Sequence, residues 1–138
     1  MSRPDQTRQT PRADAAGSMA KCLEFADASH SALADHRWDA AGLAAIHSGI
    51  CAGDAALIAS AGLRSASEDH GAVVALLDDQ VPEFAAAQRR QLGGLLKMKN
   101  RVAYEQRLLT ETEARQLADQ ARRLANWARR VVDAHMKG

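Results

Sequence analysis

Apolar residues recur at intervals of three and four along two long segments of this chain, residues 38–61 and 111 to about 135. Because an α-helix turns once in 3.6 residues, this spacing places the apolar side chains on one side of it. The pattern therefore predicts two long amphipathic helices. The stripe of the first contains Leu43, Ile46, Ile50, Gly53 and Leu57. The face of the second contains Ala114, Leu117, Ala118, Ala121, Leu124, Ala125, Ala128, Val131 and Val132.

Small residues accompany the stripe of the 38–61 helix, and two of them are glycines, Gly49 and Gly53. A glycine inside a helix costs about 1 kcal/mol relative to alanine. Two glycines four residues apart therefore indicate that a neighbouring backbone comes very close to this helix. The other small residues beside the stripe are Ala41, Ala45, Ala52 and Ala56.

Helix start and stop signals predict an additional helix before residue 38 and mark the end of the 38–61 helix. Ser18 is a candidate N-cap, and the residues after it have helical spacing up to about residue 35. Gly62 suits the position just after the 38–61 helix, where the backbone often takes a left-handed conformation. The segment "RSASEDH" that follows has no apolar period and predicts a loop.

Two further helices lie between that loop and the last helix. A short one is predicted over about 69–79, with Ser67 or Asp69 as its cap. Pro82 then predicts the first turn of a fourth helix, which continues to about residue 105. The last helix opens with Thr110 and, three residues later, Glu113, which is a capping-box pattern.

Composition agrees with a purely helical fold. The chain is 46% hydrophobic, alanine supplies much of that share, and β-branched residues are scarce. The resulting fold class is all-α: an up-down bundle of four long helices plus one short helix, in a single domain over residues 18–138. Residues 1–17 are polar, contain two prolines and show no period, so they predict a disordered N-terminal tail.

Charge is distributed unevenly along the chain. Residues 1–88 carry 6 basic and 12 acidic side chains, a net of −6, and residues 89–138 carry 12 basic and 5 acidic ones, a net of +7. One interpretation is that acidic and basic helices attract each other within the fold or across a dimer. The other is that the basic half presents a face to a polyanion.

The sequence contains no motif that predicts a cofactor, a metal site or a membrane span. Cys22 and Cys51 belong to no CxxC or Cys/His cluster, and no phosphate-binding glycine motif occurs, so no metal and no cofactor is predicted. The N-terminus lacks the apolar core of a signal peptide. No apolar run approaches the 18 residues of a membrane span, so the expected location is the cytoplasm, with no membrane partner.

Two titratable residues stand out before the basic half begins. Asp54 flanks the apolar stripe of the 38–61 helix, where a charge usually has a partner or reaches water. It forms either a salt bridge to an arginine of a later helix or part of a polar site between helices. His70 follows two acids in "SEDH" and titrates near neutral pH, so it is either a capping and packing residue or a functional one.

The stretch "LLKMKNRVAYEQ", residues 95–106, gathers the remaining candidate residues. They are Lys97, Lys99, Asn100, Arg101 and Tyr104. Cations at the end of a helix are favoured by its dipole, which alone could account for them. The alternative is a binding surface or an active site built on this helix end.

Several pieces of the chain, taken in order, resemble the HEPN domain family over about residues 20–134. They are "GDAAL", the following G-x-R, the "DH" before an apolar run, and the helix end "KNRVAYE". The resemblance implies a bundle of four to five helices that usually forms a homodimer. In many HEPN proteins the dimer brings together two copies of an Arg-Asn-x-x-x-His-like motif that cleaves RNA without a metal. Other members bind RNA, nucleotides or partner proteins, and some pair with a minimal nucleotidyltransferase as toxin and antitoxin.

Residue by residue, the motif falls on Lys99, Asn100 and Tyr104. Asparagine agrees with the family pattern. Lysine keeps the charge of the motif arginine but loses its planar fork, and tyrosine titrates near 10, which makes it a poor proton shuttle at neutral pH. The next histidine along the chain is His135, at the end of another helix.

Three functions follow as expectations. The first is a non-catalytic HEPN-like homodimer that binds RNA, nucleotide or a protein partner, such as an antitoxin or nucleotidyltransferase, through a basic groove between subunits. That groove would contain Lys97, Lys99, Asn100, Arg101, Tyr104 and Asp54. The second is a metal-independent ribonuclease with a divergent active site composed of His70, Arg101 and Tyr104. The third is a structural protein whose charge split serves dimer contacts alone.

Overall fold

The computed structural model describes residues 7–67 and 69–137, without the side chain of His70. Five helices and two short strands make up that part of the chain, so the all-α prediction is confirmed, with a small sheet added to it. In chain order the elements are β1 (Thr7–Gln9), a single 3₁₀ turn (Arg12–Asp14), α1 (Ala15–Ala34), α2 (Trp38–Ala61), β2 (Leu63–Ser65), α3 (His70–Gln80), α4 (Ala86–Tyr104) and α5 (Glu111–Met136).

Helix α2 is the centre of the bundle. It packs most extensively against α1 on one side and α5 on another, and it also contacts α4 and the short α3. Its buried residues therefore occupy most of its circumference rather than one stripe. Leu43 and Ile50, which the spacing predicted to be core residues, are only partly buried, whereas the small residues beside them are buried. The small residues thus face the most crowded part of the bundle.

Leucine side chains fill the space that the glycines of α2 leave open. An added Cβ at Gly49 would overlap Leu95 of α4, and one at Gly42 would overlap Leu109 of the α4–α5 loop. At Gly53 the same atom would meet Leu77 at an ordinary 3.4 Å. The predicted close approach exists at Gly49, but a side chain makes it rather than a neighbouring backbone.

Helices α1 and α2 are joined by two buried serines that bond in opposite directions. The Ser29 hydroxyl of α1 donates to the Ala41 carbonyl of α2 at 2.8 Å, and the Ser48 hydroxyl of α2 donates to the Cys22 carbonyl of α1 at the same distance. Both serines are shielded from solvent. Each hydroxyl thus finds a partner on the opposite helix, which a buried polar group requires.

The predicted N-terminal tail needs correction where the structure describes it. β1 pairs antiparallel with β2, with Arg8 opposite Arg64, and the Thr10 amide donates to the Gly62 carbonyl at 2.9 Å. Helix α1 then begins at Ala15, three residues before the predicted cap Ser18. These backbone hydrogen bonds hold the segment onto the end of α2. Residues 1–6, which the same prediction included, lie outside the described residues.

The loop predicted after Gly62 is replaced in part by β2. Gly62 itself takes the expected left-handed conformation, with φ of 64°. The two strands are only three residues long, which is too short for a period to be visible in the sequence. Their pairing depends on contact with a distant segment of the chain, and for that reason neither strand was predicted.

Helix caps agree with the sequence at the starts of α3 and α5. The Asp69 side chain accepts from the Gly71 amide at 3.0 Å at the start of α3, and Thr110 and Glu113 form the predicted capping box of α5. Helix α4 begins at Ala86 rather than near Pro82. The Phe84 amide instead donates to the Val81 carbonyl in a turn before the helix.

Length and composition alone would let α2 cross a membrane, contrary to the expectation that no apolar stretch is long enough. Yet 67% of its most apolar stretch is buried by other parts of the chain. The core helix of a soluble protein passes the same test of length and composition. One helix of this kind is weak evidence for a membrane span, and the absence of a membrane partner stays a prediction.

Candidate functional site

The solvent side of α4 carries a row of residues at intervals of three and four. We call Arg90, Gly93, Lys97, Asn100 and Tyr104 the α4 outer stripe; all but the half-buried Gly93 are exposed. Their spacing places them on one face of the helix, over about 20 Å at 1.5 Å per residue. Three of the five, at positions 97, 100 and 104, were predicted as binding residues.

The cations of this stripe have no acidic neighbour on their own helix. Helix α4 contains five cations and no acid. Within the described part of the chain, Arg90 and Lys97 form no ion pair. Tyr104 is 81% exposed, which is unusual for an aromatic ring. As far as the described residues show, the stripe therefore presents two unpaired cations and one exposed ring to solvent.

Arg101 is held in place by contacts within the chain. It lies 3.1 Å from the Glu113 carboxylate of α5, and Arg107 lies 3.2 Å from the same oxygen. Hydrogen bonds from Thr110 and then Arg107 lower the pKa of Glu113, so it stays ionised. A ribonuclease that used Arg101 would first have to displace Glu113. The structure thus gives Arg101 an anchoring role rather than a free catalytic one.

Lys99 lies on the opposite side of α4 from Tyr104. Five residues at about 100° each place the two side chains about 140° apart around the helix axis. Lys99 is half-buried and lines a cavity of about 170 Å³, whereas Tyr104 reaches solvent. The structure therefore does not bring together the two positions that carry the altered HEPN motif within one subunit.

Asp54 lines the same cavity as Lys99. The cavity lies between α2, β2, α3 and α4, and its other polar residues are Arg64, Ser65 and Ser67. Sequence reasoning missed these three because they belong to the short strand and the loop after it. Their polarity was visible in "RSASEDH", but no pattern indicated that the segment turns toward α4.

Asp54 forms no ion pair and no side-chain hydrogen bond with any residue that the structure describes. Burial raises its pKa above the usual 3.8, and the positive charges of Arg64 and Lys21 offset part of that rise. The expected salt bridge to an arginine of a later helix is therefore not formed. The alternative of a polar site between helices is the one that the structure supports.

Replacement of Asp54 by asparagine is expected to raise the free energy of unfolding at neutral pH. Because the carboxyl pKa is higher in the folded chain, the folded state binds more protons than the unfolded state between pH 3.8 and the raised value. The contribution of Asp54 to the free energy of unfolding therefore falls as the pH rises through that window. Urea unfolding at a series of pH values measures the effect. The gain in free energy of unfolding from Asp54→Asn should shrink as the pH falls toward 3.8. An advantage that does not vary with pH would contradict this assignment.

The cysteines have environments that oppose nucleophilic chemistry. Burial, followed by the charge of Asp54, raises the pKa of Cys51 to about 11, and burial also raises the pKa of Cys22. A thiol needs a lowered pKa to react as the thiolate near neutral pH. Both residues therefore act as packing side chains. The side chain of His70, the remaining candidate for catalysis, lies outside the described residues.

A wider groove of about 320 Å³ lies between α1 and α5. Its arginines are already occupied by acids of α5 itself: Arg115 lies 2.8 Å from Glu111, and Arg122 lies 2.6 Å from Asp119. This groove was not predicted from the sequence. Its paired charges make it a weaker candidate than the α4 outer stripe or the cavity behind it.

Few of the described ion pairs join the acidic half of the chain to the basic half. Among the described residues, Arg89 with Asp78 is the one arginine or lysine pair that joins the basic half to the acidic half. His135 also contacts Glu83 at 2.8 Å across the two halves. The other ion pairs lie within residues 89–138. Direct attraction between acidic and basic helices of one chain therefore accounts for little of the charge split.

Comparison with known proteins adds no relative: no family model, no curated protein and no solved structure matches the chain. The resemblance to the HEPN family therefore stays a prediction.

Proposed function

We propose that this chain binds single-stranded RNA along the α4 outer stripe. The observation that carries the proposal is the exposure of Arg90 and Lys97, on a helix without acids and without an ion pair for either in the described part of the chain. Phosphates attract such cations regardless of sequence, because binding releases the counterions of the nucleic acid.

Tyr104 supplies the second half of the interaction. Proteins that bind single strands combine a basic track with aromatic rings on which bases stack, and each stacked base contributes about 1–3 kcal/mol. Tyr104 lies two turns of the helix beyond Lys97, about 10 Å along the axis. Gly93 has no protein atom within 4 Å of where a Cβ would be, so the strand can approach the helix closely between Arg90 and Lys97.

The test is fluorescence anisotropy with a short fluorescein-labelled single-stranded RNA at several salt concentrations. Lys97→Glu is expected to weaken binding by about tenfold or more, equivalent to about 1.4 kcal/mol. It should also reduce the slope of log affinity against log salt by about 0.7. Tyr104→Leu should weaken binding by a similar factor but leave the slope unchanged, because it removes stacking and no charge.

The matched control is Arg129→Glu, which changes the net charge by the same amount. Arg129 is exposed on α5, and its charge acts on Cys22 of α1, so it faces away from α4. Equal losses for Lys97→Glu and Arg129→Glu would mean that net charge alone attracts the RNA. That result, or affinity independent of salt, would overturn the proposal.

The HEPN-like assignment and the homodimer remain part of this proposal. The order of the sequence motifs and the five-helix bundle support them. Two copies of the α4 outer stripe would repel each other, so a dimer would have to bring another face together or require bound RNA between the stripes. Solution mass with and without RNA distinguishes these arrangements. An antitoxin or nucleotidyltransferase partner likewise remains an expectation from the resemblance.

A further inference from the structure

Three charged residues line the cavity behind α4. Asp54, Arg64 and Lys99 all line it, yet none of them forms an ion pair within 4 Å or a side-chain hydrogen bond with a described residue. Asp54 and Lys99 are partly buried, whereas Arg64 is exposed and its charge attracts Asp54 without direct contact. A partly buried charge without a direct contact loses much of its hydration and gains little in return. The burial of Asp54 and Lys99 therefore lowers the stability of the empty fold, and all three groups can contact a ligand in the cavity.

The serines at the edge of the cavity are better satisfied than the charges. The Ser67 amide donates to the Ser65 hydroxyl at 3.3 Å, and the Ser67 hydroxyl accepts from the Asp69 amide at 3.0 Å. These bonds shape the segment after β2. They make the serines part of the frame of the cavity and leave recognition to the three charges.

The remaining walls of the cavity are apolar. Ile50 and Gly53 of α2, Val73 of α3, and Leu92 and Leu96 of α4 contribute them. At about 170 Å³ the cavity is smaller than the roughly 300–1,000 Å³ of pockets that hold drug-sized ligands. It is therefore too small for a nucleotide. The lining suits a small molecule that carries charges of both signs and has an apolar part.

We propose that the cavity binds a small zwitterion with an apolar side chain, of which an apolar α-amino acid is the simplest. Its carboxylate would pair with Lys99 and Arg64, its ammonium group with Asp54, and its side chain would pack against the apolar walls. This assignment satisfies all three charges at once. A simple anion would leave Asp54 without a partner, and a simple amine would leave the two cations without one.

The proposal is independent of RNA binding. Lys99 faces the cavity and Lys97 faces solvent on the α4 outer stripe, so the two lysines allow the two sites to be separated. Failure of one site would not imply failure of the other.

Isothermal titration calorimetry with L-leucine on the full chain tests the proposal. Wild-type protein is expected to bind one molecule per chain. Asp54→Asn and Lys99→Met should each weaken binding at least tenfold, since each removes a charged partner in a partly buried site. Lys97→Met loses the same charge on the outer face and should bind L-leucine as the wild type does. No heat of binding, or equal affinity in Asp54→Asn and the wild type, would overturn the proposal.

Two analogues test the wild-type protein without any variant. Isocaproate keeps the carboxylate and the apolar chain of leucine but lacks the ammonium group, and isoamylamine keeps the ammonium group but lacks the carboxylate. Each is expected to bind at least tenfold more weakly than L-leucine. Isocaproate binding as tightly as L-leucine would remove the role given to Asp54, and isoamylamine doing so would remove the role of Lys99 and Arg64. Either result would overturn the proposed zwitterion.

Discussion

Leu95→Ala is expected to lower the free energy of unfolding by about 2–5 kcal/mol, the usual cost of truncating a buried leucine. Leu95 is 0% exposed, and its side chain occupies the space that Gly49 leaves on α2. Gly49→Ala is expected to destabilise the fold as well, although alanine favours the helix by about 1 kcal/mol. The added methyl group overlaps Leu95, and overpacking of a core costs about 1–3 kcal/mol.

The two changes together should cost less than the sum of their separate effects. In the double variant the alanine at position 49 occupies part of the space that the shortened side chain at 95 vacates. We expect a coupling of about 1 kcal/mol or more, in the range for residues in direct contact. Urea unfolding followed by circular dichroism measures all three variants. Strict additivity would mean that α4 does not pack into α2 at this point.

Gly93→Ala is the matched control for Gly49→Ala. Gly93 lies on α4, and nothing lies within 4 Å of an added Cβ there. The helix-propensity gain is therefore unopposed, and a stabilisation of about 0.5–1 kcal/mol is expected. Opposite signs for the two substitutions would separate packing from propensity. If both were stabilising, the overlap at Gly49 would be relieved at no cost.

The sequence predicted the helices well because their signals are local. The bounds 38–61 follow from spacing and from Gly62, and the structure has α2 at Trp38–Ala61. The capping box of Thr110 and Glu113 likewise places the start of α5. Periodicity and capping are set by residues within a few positions of one another, so a single sequence contains them.

The faces of α2 were harder to predict, because neighbours on several sides decide them. A stripe of large residues predicts one buried face, but α2 is surrounded by α1, α4 and α5. The small residues were noticed, and their partner was mistaken for a backbone. Which distant leucine enters the space at Gly49 depends on how α4 packs, and helix spacing carries no information about that.

The same limit divides the candidate residues of the site. Spacing along α4 is enough to place positions 97, 100 and 104 on one face, and these residues are exposed together. It also separates Lys99 from them, although sequence reasoning grouped all four by proximity along the chain. The cavity that Lys99 shares with Asp54 requires β2 to pair with β1, which brings the segment after Gly62 into place. That long-range pairing has no local signal.

Two opposite sides of α4 thus carry different chemistry. The buried side packs Leu92, Leu95 and Leu96 onto α2 and exposes Lys99 to the cavity, while the solvent side carries the α4 outer stripe. Both sites depend on the position of α4, which is set by the turn before the helix and by its contacts with α2 and α5. A substitution that loosens those contacts should affect both sites and the stability of the fold.

Trp127→Ala is expected to be among the most destabilising substitutions, with a loss of about 3–5 kcal/mol. The Trp127 ring is 4% exposed and packs 5.8 Å from the Phe84 ring, and its Nε1–H donates to the Glu83 carbonyl at 3.1 Å. These contacts hold the turn before α4 against α5. Trp127→Phe keeps most of the packing and removes the hydrogen bond, so it should cost considerably less than Trp127→Ala.

Trp38→Ala provides the control with the same change of residue type. Trp38 is only partly buried at the start of α2, where it stacks on His36 at 5.1 Å and lies under Arg115. Its loss should cost about 1 kcal/mol, the centre of the range for ordinary substitutions. Urea unfolding compares the two variants.

Because Trp127 anchors the turn that starts α4, Trp127→Ala should also weaken RNA and L-leucine binding under conditions where the chain remains folded. Trp38→Ala should leave both binding affinities unchanged. Equal costs for the two tryptophans would show that contact between α5 and this turn does not hold α4 in place.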